Sequence, residues 1–172
     1  MFKAGLPLAI LAVLLYGCSA FLNSAKPGDT QGEVRAKWGE PTEARVSSAG
    51  EDLWEYWGGY MGRNTYIVRF GADARAISVA QVLTEGNFWN LKRGASQADV
   101  RDTLGRPYYK YGLAGGEVWE YRIYDDHYRY AKMAVQFGQD GAFKDVSKIL
   151  EDFLYKRTSM PITPKIGINS IN

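Results

Sequence analysis

The chain repeats itself, and the repeat constrains its fold more than any other feature. Lys26-Pro27-Gly28-Asp29-Thr30-Gln31-Gly32-Glu33-Val34-Arg35 runs on to Trp38-Gly39-Glu40-Pro41. Gly94-Ala95-Ser96-Gln97-Ala98-Asp99-Val100-Arg101 then runs on to Leu104-Gly105-Arg106-Pro107. The correspondence continues downstream. Trp54-Glu55-Tyr56 returns as Trp119-Glu120-Tyr121, and Val68-Arg69-Phe70-Gly71 returns as Val135-Gln136-Phe137-Gly138. Asp73 is answered by Asp140, Val79 by Val146 and Leu83 by Leu150. Self-similarity on this scale implies one supersecondary unit made twice.

Each repeated segment encodes a short helix with start and stop signals. Thr30 and Ser96 carry hydroxyls that can accept from the free amides of a first helical turn. Glu33 and Asp99 stand where a capping box needs its carboxylate. Val34 with Trp38, and Val100 with Leu104, have the spacing that puts two side chains on one helix face. Gly39 and Gly105 suit a left-handed helix end, and Pro41 and Pro107 block continuation.

Downstream the period changes from helical to alternating. Trp119, Tyr121 and Ile123 alternate with Glu120 and Arg122, and Ala131, Met133, Val135 and Phe137 alternate with Lys132 and Gln136. These are strands with one buried face. The turn Gly138-Gln139-Asp140-Gly141 leads into a further strand over 143–148, and the first copy has strands at 53–57, 65–70 and 76–81. Residues 87–92 add a short helical turn. The expected class is α+β: two tandem modules, each one or two short helices packed on a three-stranded antiparallel β-meander. The modules span 26–83 and 84–155, and 156–172 is an extended tail holding Pro161 and Pro164.

The N-terminus has a different purpose. Lys3 precedes an apolar run from Ala4 to Tyr16. That run is shorter than the roughly 20 residues a membrane-spanning helix needs, and it has the length of a signal-peptide core. It ends in Leu15-Tyr16-Gly17-Cys18, and Cys18 is the single cysteine of the chain. The segment resembles a bacterial lipobox, although Tyr16 departs from the pattern. It implies a signal peptide over 1–17, cleavage before Cys18, lipidation of that thiol, and a tether over 18–25. Ser19 stands where an Asp would favour inner-membrane retention, which implies the outer membrane. The alternatives are an uncleaved signal anchor, or a secretory signal with Cys18 an idle thiol.

The capped helix ending in Leu-Gly and Pro, followed by Trp-x-Tyr and found twice behind a lipobox, resembles the SmpA/OmlA (BamE-like) family of outer-membrane lipoproteins. The resemblance covers about Pro27 to Phe153, including Thr84-Glu85-Gly86-Asn87-Phe88. It implies a non-catalytic scaffold component of envelope assembly, including β-barrel protein assembly, anchored at the periplasmic face of the outer membrane by its N-terminal lipid. The chain departs from the family in having two modules and in having Trp38 in place of Leu. Tandem modules of this shape also occur in β-lactamase inhibitor proteins, so an envelope-anchored inhibitor or binder of a hydrolase is the alternative.

No catalytic set, metal site or cofactor site is expected. The single His stands in Tyr124-Asp125-Asp126-His127-Tyr128, where the module needs a hairpin turn. The Gly-rich pieces lack the Lys and Ser/Thr of a phosphate loop. A net charge of +2 gives no basic surface for nucleic acid. Aromatic residues reach 14% with twelve Tyr, and strands are naturally rich in them. The functional alternative is a contact surface in the second copy made of Tyr108, Tyr109, Tyr124, Tyr128, Arg129 and Tyr130. Tyr128 and Tyr130 are then expected to face away from Ala131 and Met133.

Overall fold

The computed structural model describes residues 24–151, the side chain of Tyr60 apart. Cys18, the signal segment and the tail 156–172 lie outside the described residues. The elements are α1 (Gln31–Trp38), β1 (Glu43–Val46), β2 (Asp52–Gly58), a 3-10 turn (Tyr60–Gly62), β3 (Asn64–Phe70) and β4 (Ala76–Gln81). Then follow α2 (Glu85–Trp89), α3 (Gln97–Leu104), β5 (Tyr109–Leu113), β6 (Gly116–Tyr124), β7 (Tyr130–Gly138) and β8 (Phe143–Leu150). The strands make two four-stranded antiparallel sheets, ordered β1-β2-β3-β4 and β5-β6-β7-β8.

Each sheet therefore has one strand more than the expected three. The added strands, β1 and β5, are edge strands with no fully buried residue. In β1 the half-buried positions are the charged Glu43 and Arg45 while Ala44 and Val46 are exposed, and in β5 only Tyr111 is half-buried, so neither segment shows the apolar-in alternation that marks a strand.

Local signals match closely between the halves. Thr30 Oγ1 accepts from Glu33 N at 3.2 Å while the Glu33 carboxylate accepts from Thr30 N at 2.7 Å. Ser96 and Asp99 repeat this at 3.1 and 3.0 Å. Thr30 bridges to Arg75, and Ser96 to Ala142, tying each helix start to the turn before its last strand. A register shift falls between Arg69 and Phe70 in β3 and between Gln136 and Phe137 in β7. Gly39 and Gly105 end their helices at φ 80° and 75°, with ψ at −165° in both. That is a glycine-only extended conformation and not the left-handed helical cap expected.

The helix–sheet layers stack. Val34 of α1 packs with Trp54, Val68, Phe70 and Ala76 on one face of the first sheet. Leu53 and Ile67, on the opposite face of that sheet, join a second core with Phe88, Val100, Leu104 and the inward residues of β6 and β7. Helix α3 thus lies between the sheets. Its apolar side meets the second sheet, and its polar side meets the first.

That polar side is a network of ion pairs. Arg101 binds the carboxylates of Glu43 and Glu55. Glu55 is buried and also accepts from Arg106 N at 2.7 Å. Arg45 pairs with Asp102, which further accepts from Ser48 N at 2.7 Å. Burial would raise the Asp102 pKa, but the Ser48 and Arg45 hydrogen bonds outweigh it and hold the carboxyl below its usual range.

Candidate functional site

The candidate site lies where the last residues of β4 and the first of β3 meet the turn between β6 and β7. Asn64, Gln81, Leu83, Thr84, Tyr124, Asp125, Asp126 and Tyr128 line an open cleft of about 570 Å³. It belongs to both halves, and neither would form it alone.

The β6–β7 turn is organised by one carboxylate. Asp125 Oδ1 accepts from His127 N at 2.9 Å and from Arg129 N at 2.8 Å, and Oδ2 accepts from Arg129 Nε at 2.8 Å. The Arg129 guanidinium, with help from these backbone amides, holds the Asp125 carboxyl down at about 2 against the opposing effect of burial. Asp126 N donates to Glu85 Oε1 at 3.0 Å, which fastens the turn to α2. Glu85 in turn holds Lys148 at 2.9 Å. Asp125, Asp126 and His127 are therefore turn residues, as the sequence implied.

The turn forces Tyr128 to φ +58° and leaves it 89% exposed. A bulky residue at positive φ is an outlier that costs on the order of 1–3 kcal/mol. Tyr128 is thus in the turn and not in the strand, and its direction follows from the turn geometry. Tyr130 is the first residue of β7 and does lie opposite Ala131 and Met133, which are fully buried.

The other predicted contact residues divide between free and occupied. Tyr130 and Tyr124 flank Arg63, whose guanidinium carbon stands 4.4 and 6.0 Å from their ring centres. Arg63 is only 2% exposed and pairs with Glu151. Met61 Sδ accepts from Arg122 Nη1 at 2.8 Å. Tyr124 and Tyr130 thus receive the β2–β3 hairpin of the first half. Tyr108 lies under the Arg122 guanidinium at 3.8 Å. Arg129 is engaged by Asp125 at 2.7 Å. Tyr109 is exposed on the edge strand and stacks on Tyr111, centroids 6.0 Å apart.

No family model matches the chain, and no curated protein does. Among solved structures it is similar to a DUF4309 family protein (YjgB) from Bacillus subtilis, at 18% identity and a TM-score of 0.27 over 83% of this chain and 97% of that one. It is also similar to an extracellular protein containing a SCP domain from Bacillus anthracis, at 14% identity and a TM-score of 0.29 over 81% of this chain and 51% of that one. At such scores neither likeness carries an argument about fold or function.

Several residues of the site had no signal in the sequence. Asn64, Gln81 and Thr84 sit at element ends, and only the packing of the halves brings them beside Tyr124 and Tyr128. The first half is also richer in surface aromatics than expected. Trp38 packs edge-on against Tyr56 and Tyr66 at 5.1 and 5.4 Å, beside a second cleft of about 410 Å³ that Trp57 also lines.

Proposed function

We propose that the protein is a lipid-anchored envelope component that works by binding, with Tyr128 of the second half at its contact site. In this reading the halves are two copies of one module, Cys18 carries the lipid, and the described body hangs from the periplasmic face of the outer membrane. The role in envelope assembly, including β-barrel protein assembly, rests on the resemblance of the repeated helix and Trp-x-Tyr motifs to the SmpA/OmlA family.

One observation carries the binding reading. Met61 and Tyr128 occupy the matching hairpins of the two halves, and both have φ +58°. Met61 uses that position to engage Arg122 in the second half. Tyr128 presents a large aromatic ring to solvent from the same strained geometry. Strain held at an exposed aromatic residue is expected where the ring meets a partner. Co-purification of the full-length protein in mild detergent tests the role. Recovery of barrel-assembly subunits supports it. Recovery of a single hydrolase instead would replace it with an inhibitor function.

A further inference from the structure

The two halves keep one register from the approach to the first helix onward. Gly28 N donates to Ala76 O at 2.7 Å, and Gly94 N donates to Phe143 O at 2.9 Å. Ala76 N then donates to Asp29 O, and Phe143 N to Ala95 O, both at 2.8 Å. Ala25 is buried in the first core, and Leu91 packs against the second. Tyr56 Oη donates to Gly39 O at 3.2 Å, as Tyr121 Oη does to Gly105 O at 3.1 Å. Tyr56 pairs across its sheet with Tyr66, and Tyr121 with Met133. Trp38, Tyr56 and Tyr66 therefore correspond to Leu104, Tyr121 and Met133.

The corresponding sites differ in what fills them. In the second half Phe88 of α2 is fully buried and meets the Tyr121 ring edge-on at 5.3 Å. It shares a core with Leu104 and Met133, both fully buried. In the first half Trp38 and Tyr56 are half-buried and Tyr66 is 38% exposed. With Ser24 and Trp57 these three rings line the second cleft, and no charged side chain lines it among the described residues. The register names what belongs there. Leu22 stands as far before Thr30 as Phe88 stands before Ser96. Phe21 and Leu22 are also the only large apolar residues between Cys18 and Ala25.

We propose that Leu22, with Phe21 beside it, docks into the Trp38–Tyr56–Tyr66 cleft and does for the first half what Phe88 does for the second. Taking an apolar side chain and these rings out of water together drives the contact. Its position has a consequence for anchoring. The four peptide steps from Cys18 to Leu22 span at most about 14 Å. On the lipid-anchor reading above, on which this consequence rests, the docked segment holds the cleft face of the body at the bilayer surface. Trp38 and Tyr66 then turn toward the headgroups, where amphipathic rings are favoured.

The test places a photo-crosslinking amino acid at position 22 of the detergent-solubilised full-length protein and maps the adducts by peptide mass spectrometry. The expected adduct is within one chain, to the peptide carrying Trp38, Tyr56 or Tyr66. Leu22→Ser should lower the melting temperature by roughly 3–10 °C, and Leu22→Phe, which copies Phe88, should hold or raise it. Leu22→Ser and Tyr66→Ser open the same contact, so their losses should sum to more than the loss of the double variant. Adducts to detergent, lipid or another protein alone, or a melting temperature that Leu22→Ser leaves unchanged, overturn the proposal. The intact mass of the same sample reports acylation of Cys18. The intramolecular adduct in a protein without acyl mass would leave the docking standing and remove the lipid-anchor reading instead.

Discussion

Gly39 and Gly105 share one backbone conformation, so replacing each with alanine isolates what the contact between the halves contributes. Both sit at positive φ with ψ −165°, and an L side chain there costs on the order of 1–3 kcal/mol. A Cβ on Gly39 would meet nothing within 4 Å. A Cβ on Gly105 would lie 3.0 Å from Glu55 Oε1 and 3.0 Å from Thr65 Cγ2. Glu55 is buried and holds Arg106 N at 2.7 Å as well as Arg101. Making room disturbs those bonds, and a hydrogen bond to a charged group is worth about 1.5–3 kcal/mol. Gly39→Ala should therefore cost about 1–3 kcal/mol, and Gly105→Ala about 2.5–6 kcal/mol. Gly105→Val should be worse, because its branched Cβ adds bulk at the same contact. Urea unfolding followed by tryptophan fluorescence measures both. Equal losses at the two sites would refute the argument that α3 is seated on the first sheet through Gly105 and Glu55.

Three more outcomes follow from the same structure. Ala74 is at φ +57° where the second half has Gly141 at φ +71°, so Ala74→Gly should hold or raise the melting temperature. Gly141→Ala should lower stability by roughly 1 kcal/mol, and the opposite signs are the check. Arg129 and the backbone amides hold the Asp125 carboxyl at about 2, below its unfolded value of about 3.9. Its contribution is complete above the unfolded value and is lost as pH falls toward 2. Melting temperatures of the wild type and Asp125→Asn should therefore converge between about pH 4 and pH 2, and a gap constant across that range would refute the linkage. Cys18→Ala should release the protein from membranes or leave it unprocessed. Mass spectrometry that finds a mature N-terminus elsewhere, without acyl mass, would rule out the lipid anchor.

The parts of the fold that sequence analysis anticipated are those that local chemistry dictates. Thr30 with Glu33, and Ser96 with Asp99, need no tertiary context to cap a helix. The alternation through Trp119, Tyr121 and Ile123 marks a strand because one face of it is buried. The strands it missed, β1 and β5, have no fully buried residue, and the inward side of β1 is the charged pair Glu43 and Arg45. The stacking of the halves was also hidden, because Arg101, Glu43 and Glu55 are charged residues whose pairing depends on long-range packing. The same holds for the cleft. Tyr124 and Tyr128 could be picked out as surplus aromatics, but Gln81 and Asn64 gain meaning only once the first sheet meets the β6–β7 turn. Tyr130 shows the converse. Its direction followed from strand alternation, while its engagement with Arg63 depended on a hairpin in the other half.

If the protein acts by contact through the turn of its second half, its partner meets position 128. A photo-crosslinking amino acid placed at position 128 in living cells reports that contact. The same probe at Ile77, 53% exposed on the edge strand of the first half, is the control. Contact through the turn gives a discrete adduct with an envelope component from position 128 and none from position 77. Adducts from 77 alone, or equally from both, would contradict it.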